Sequence, residues 1–152
     1  MKRSFLSSLL LVACGGGMSN TTPTITLEKG QSVLTARVER VKTDKGPVLC
    51  DLFNAADGFP GASPIIGGSI RLEASAEPVC VWRDLPRGFY AVSVIQDETS
   101  NGSLDMNTFG VPTEGYGASN NVLPATSAPK FADSAFTLEG TGAAELTVRL
   151  KN

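Results

Sequence analysis

The sequence predicts an all-β domain, a two-sheet sandwich of about seven short strands. Three observations predict it. From residue 31 onward apolar and polar residues alternate in short runs, the period-two pattern of strands with one buried face. Glycine, proline, asparagine and aspartate separate the runs, the chain carrying 16 Gly and 9 Pro. Over the same span no stretch holds a helical period. One core is expected, with residues 1–13 as a leader, 14–30 as a tether and 31–152 as the domain.

The leader comes first in the chain. Lys2 and Arg3 precede Leu6 and the run Leu9-Leu10-Leu11-Val12-Ala13, the layout of an export signal. A span of the ~30 Å hydrocarbon core needs roughly 20 apolar residues, so this run is too short to be a permanent anchor. Leu11-Val12-Ala13-Cys14 resembles the bacterial lipobox, which implies acylation of Cys14 as the mature N-terminus. The alternative is an ordinary secretory peptide cut near Ala13. Gly15 stands where an aspartate would imply retention at the inner membrane, so the resemblance implies the outer membrane. Gly15 to Pro23 is a flexible polar stretch suited to a tether.

The domain's elements follow. Val33 to Val41 alternates, with Leu34, Ala36, Val38 and Arg40 on one parity. Asp44-Lys45-Gly46-Pro47 supplies turn residues before a second run, Val48 to Phe53, and the two are expected to pair as a hairpin. Asn54 to Gly68 lacks a period and reads as a surface loop that Phe59 pins to the core. Strand character returns at Ser69 to Glu73. Pro78 to Ile95 then holds two strands around Leu85-Pro86-Arg87-Gly88-Phe89-Tyr90. A polar loop is expected from Gln96 to Lys130, and last strands at Ala135 to Leu138 and Ala144 to Leu150.

The Leu-Pro-x-Gly-x-Tyr turn flanked by alternating valines resembles the strand pair of transthyretin-like and carboxypeptidase-regulatory-like sandwiches, which implies an immunoglobulin-like arrangement. The long loop carries a longer resemblance. Asp97-x-x-x-Asn101-Gly102-x-Leu104-Asp105-x-Asn107, then Gly110-x-Pro112-x-Glu114-Gly115-Tyr116-Gly117-x-Ser119-Asn120-Asn121, resembles the domain of unknown function 2141 family of small exported bacterial proteins. The likeness runs from about Leu34 to Leu150 and includes Phe53 to Pro60. Many members carry His and Asn where this chain has Gln96 and Thr99. The resemblance implies fold and export, and no catalytic residue follows from it.

Read from their chemistry, Gly102, Gly110, Gly115 and Gly117 allow positive φ, and the Asn and Asp side chains cap nearby amides. Asp97, Thr99, Asn101, Ser103 and Asp105 also fall at positions one, three, five, seven and nine of a calcium loop, with Gly102 at six. Thr108 replaces the bidentate Glu at twelve, so Ca²⁺ would need Glu114 to fold back. A self-capped loop without an ion is the alternative. Tyr116, Asn120 and Asn121 are candidate ligand-binding residues. With Cys14 acylated, Cys50 and Cys80 form an even pair in an oxidising compartment, which favours a disulfide over two buried thiols.

Composition narrows the function. With 13 basic against 15 acidic residues and no basic cluster after the leader, no footprint for nucleic acid exists. Histidine is absent, which removes the commonest general base and metal ligand. The expectation is a lipid-anchored envelope protein that is not an enzyme, a binding or structural module for a glycan or envelope protein. A calcium-stabilised adhesion or glycan-binding module is one alternative. A hydrolase using two of Asp97, Asp105 and Glu114, set about 5 to 9.5 Å apart, is the other.

Overall fold

A computed structural model of the chain describes residues 32–62 and 66–152. The leader, Cys14 and the tether lie outside the described residues. Among the described residues eight strands form two sheets: β1 (Ser32–Glu39), β2 (Val48–Phe53), β3 (Ile70–Leu72), β4 (Val79–Leu85), β5 (Gly88–Gln96), β6 (Gly115–Ala118), β7 (Phe136–Leu138) and β8 (Ala143–Arg149). The first sheet has the order β4-β1-β8. The second has the order β3-β2-β5-β6, with β7 also pairing β5. The molecule is the expected sandwich, with one strand more than the sequence suggested.

Period-two alternation places the core. Leu34, Ala36 and Val38 of β1 and Cys80 and Trp82 of β4 point inward from the first sheet. Val48, Cys50 and Leu52 of β2 and Tyr90, Val92 and Val94 of β5 meet them from the second. Each fully buried Val, Leu or aromatic side chain contributes about 1.5–3 kcal/mol relative to an exposed one. A disulfide joins Cys50 to Cys80, Cα to Cα 6.5 Å, and so ties β2 in one sheet to β4 in the other through the core.

Three expectations need correction. β1 and β2 do not form a hairpin: β1 pairs β4 antiparallel and β8 parallel, whereas β2 pairs β3 and β5. The turn residues between them carry the chain from one sheet to the other. Gln96 clamps this crossing, accepting from the Lys42 N–H at 3.0 Å and donating to the Lys42 carbonyl at 2.6 Å. A Cβ on Gly46 would lie 1.9 Å from the Asp97 carbonyl oxygen, so no larger residue fits there. The loop after Gln96 is not continuous to Lys130, because β6 interrupts it and pairs with β5. The chain also forms two short helical turns, Ser119–Asn121 and α1 (Phe131–Ser134).

The Leu-Pro-x-Gly-x-Tyr segment likewise crosses between sheets, since β4 and β5 belong to different ones. The Tyr90 hydroxyl donates to the Pro86 carbonyl at 2.9 Å, and the ring packs back over the turn. Phe59 performs the pinning expected of it. Its ring meets Phe53 edge-on at 5.2 Å and Phe131 at 5.9 Å, holding the loop after β2 against the second sheet.

Candidate functional site

Asp97 closes the loop that follows β5. Its carboxyl is fully buried, with Oδ1 accepting from the Asn101 N–H and Oδ2 from the Gly102 N–H, both at 2.9 Å. The Arg71 guanidinium lies 3.5 Å from Oδ2. Glu114, 4% exposed, braces the far end: Oε1 accepts from the Thr99 N–H and Oε2 from the Asp105 N–H, each at 3.0 Å. Asp105 in turn accepts from the Thr99 hydroxyl at 2.9 Å and the Asn101 amide at 2.7 Å. Asn101 Oδ1 accepts from the Ser103 N–H and hydroxyl.

The six residues considered for calcium are therefore brought together, Glu114 included. They meet as a hydrogen-bonded hoop in which all six carboxylate oxygens of Asp97, Asp105 and Glu114 face a protein donor. Among the described residues no three His, Cys, Asp or Glu side chains are grouped to hold a metal ion. The arrangement shapes a loop of polar sequence without help from a core.

What the hoop carries is the wall of a groove. Beyond it Asn107 Oδ1 accepts from the Phe109 and Val111 N–H groups, and Met106 bridges to Pro112, so the chain turns tightly with its side chains outward. Met106, Phe109 and Val111 are exposed by 58%, 89% and 55%. The Pro124 to Pro129 run also lines the groove. The floor is the outer face of the second sheet, where register aligns Leu49, Ile95 and Tyr116, with Asp51 and Ser93 beside them. The space enclosed is about 660 Å³, within the usual range for small-molecule sites.

Asp51 sits on this floor. The Ser69 hydroxyl donates to its Oδ1. Burial pushes its carboxyl above the ordinary carboxylate range, and the Ser69 hydrogen bond partly opposes that. Among the described residues Asp51 is the only carboxylate and Lys151 the only cation lining the groove. The Lys151 ammonium lies 6.0 Å from the centre of the Tyr116 ring. In the sequence Asp51 is the one polar residue of the apolar run Val48 to Phe53, and no motif marks it. The groove is assembled from segments scattered between Leu49 and Lys151, so no local signal announces it.

Of the three residues considered for ligand binding, Tyr116 lines the groove. Asn120 and Asn121 are engaged elsewhere. Both adopt positive φ. The Asn120 amide donates to the Asp133 and Ala135 carbonyls, while Asn121 donates to the Thr147 carbonyl and accepts from the Arg149 N–H. Ser119, fully buried, accepts from the Val92 N–H and donates to the Ser134 carbonyl. This Ser-Asn-Asn run staples β5, β8 and α1 together.

The four loop glycines divide by cause. Gly102 and Gly110 do take positive φ. Gly115 and Gly117 do not, and close approach explains them instead: a Cβ would stand 2.7 Å from Asn152 Oδ1 at one and 2.7 Å from Val148 Cγ1 at the other. Without side chains on these two, β6 can pack against the end of β8.

No curated protein and no solved structure matches the chain. A family model does match, over residues 36–145. That span holds every strand of the sandwich in part or whole, the disulfide, the Asp97 hoop and most of the groove, and the chain belongs to the family described as an uncharacterized protein conserved in bacteria, DUF2141.

Proposed function

We propose that the protein is an envelope lipoprotein, tethered to the outer membrane through Cys14, whose sandwich is a non-catalytic binding module with the groove over β2, β5 and β6 as its ligand site. The observation that carries the binding assignment is the groove itself. A sheet face that would ordinarily be wet is roofed by two loops, one held in shape by buried carboxylates and presenting exposed apolar side chains. Among the described residues lining it, Asp51 is a single carboxylate without the second acid that paired-carboxylate hydrolysis requires. Asp97, Asp105 and Glu114, the acids first considered for that chemistry, are committed to the hoop.

The two halves of the proposal are tested separately. Binding is read from the fluorescence of an apolar naphthylamine dye titrated with the purified protein. A saturable signal is expected, reduced several-fold by Phe109→Ser, whose side chain is too exposed for its loss to unfold the domain. A signal absent in the wild type, or indifferent to Phe109→Ser and Val111→Asp, would remove the groove as the site. Anchoring is read by fractionation: Cys14→Ala is expected to move the protein from the membrane to the soluble fraction, and mass spectrometry of the wild type to find an acylated N-terminal cysteine. An unmodified terminus overturns the anchor and leaves the binding site untouched.

A further inference from the structure

We propose that the groove selects a small cationic amphiphile, its apolar body lying on Leu49, Ile95 and Tyr116 and its ammonium head seated on Asp51. The inference rests on the groove being the binding site and deepens that assignment by naming the ligand's chemistry. Three observations carry it.

The first is position. Asp51 lies between Leu49 and Phe53 on one face of β2, and these neighbours are only 7% and 0% exposed. An acid has thus been placed within a floor that is otherwise mostly apolar. The second is partnership. Among the described residues the Ser69 hydroxyl, on Oδ1, is the carboxyl's one hydrogen-bond partner, and no cation pairs with it. Arg71, on the neighbouring strand, is directed at Asp97 instead. Lys151 stands beside Tyr116 of β6, with the width of β5 between it and Asp51. The third is the shape of the rest, a space of about 660 Å³ walled by Leu104 and Val111.

A carboxylate partly withdrawn from water without a counter-charge is costly, and its raised pKa records that cost. A ligand ammonium removes the penalty. The bond it forms is charge-assisted, roughly twice as strong as a neutral one. An anionic head placed on Asp51 is repelled, and a neutral hydroxyl there gains only an ordinary hydrogen bond. Charge complementarity therefore sets the order amine, alcohol, acid for ligands of equal apolar length.

Isothermal titration of the purified protein with decylamine, decanol and decanoate, each below its micellar concentration, tests this order. Decylamine is expected to bind at least tenfold more tightly than decanoate, with decanol between them. In Asp51→Asn, decylamine should fall to the decanol value while decanol is unchanged. Phe109→Ser should weaken all three alike. If the three bind equally to the wild type, or if the amine preference survives in Asp51→Asn, the head-group assignment is overturned and the groove stands as a binding site. If none binds, both fail. The wild-type ranking is decisive by itself should Asp51→Asn not fold.

Discussion

Asp51 makes the residue scale quantitative, because its environment acts on stability as well as on binding. Burial raises its pKa, so the folded protein holds that proton more tightly than the unfolded chain does. The sign follows. Stability from this group is highest below the unfolded carboxylate pKa and declines as the pH rises from there through the raised folded value. Asp51→Asn removes the decline. Its melting temperature should exceed the wild type's at neutral pH, and the two should converge in acid, where both side chains are uncharged. A wild type that is the more stable of the two at neutral pH would show that the Ser69 hydrogen bond outweighs desolvation. The sequence shows Asp51 as the lone polar residue of an apolar run but not what faces it. Its meaning comes from loops more than fifty residues away that cover it.

At the scale of elements, the hoop from Asp97 to Glu114 was legible as an ordered loop from its Asn, Asp and Gly spacing, and the structure gives the physical content. Two buried carboxylates each accept from two main-chain N–H groups, and Asp105 cross-links the side chains. Asp97→Ala leaves the Asn101 and Gly102 amides without acceptors, an expected loss of about 2 kcal/mol by denaturant unfolding. The calcium geometry and the hoop make opposite demands on the same oxygens. Because every one of them already has a protein donor, thermal melts in millimolar Ca²⁺ and in chelator are expected to coincide, whereas an upward shift in Ca²⁺ that Asp105→Ala abolishes would establish an ion site. The strands themselves were legible where β-branched residues alternate, as in β1 and β5. β6 was not, since Gly115 to Ala118 has no β-branched residue and its glycines are there to let another strand approach. The pairing of β1 was misread for a related reason: Asp44 to Pro47 mark a change of direction, but turn residues do not say whether the chain returns to its own sheet or crosses to the other.

For the whole molecule, the sandwich is held by one covalent tie between its sheets. Closing a loop of 30 residues, the disulfide is worth roughly 3.5 kcal/mol in the loop-entropy account. Cys50→Ala combined with Cys80→Ala should lower stability by about that amount, read by denaturant unfolding against the oxidised wild type, and an equal midpoint would contradict it. The pairing of cysteines was legible from their number, but the sheets they join were not. A mechanical consequence follows from the parallel pairing of β1 with β8, which matches Val33 to Ala143 at one end and Glu39 to Arg149 at the other. A force drawing the start of β1 away from the end of β8 runs along this ladder rather than across it. Its rungs would share the load and have to yield together, instead of opening one after another as in a peeled hairpin. The fold thus sets a ladder loaded in shear at the strand where a pull through the residues before β1 would enter.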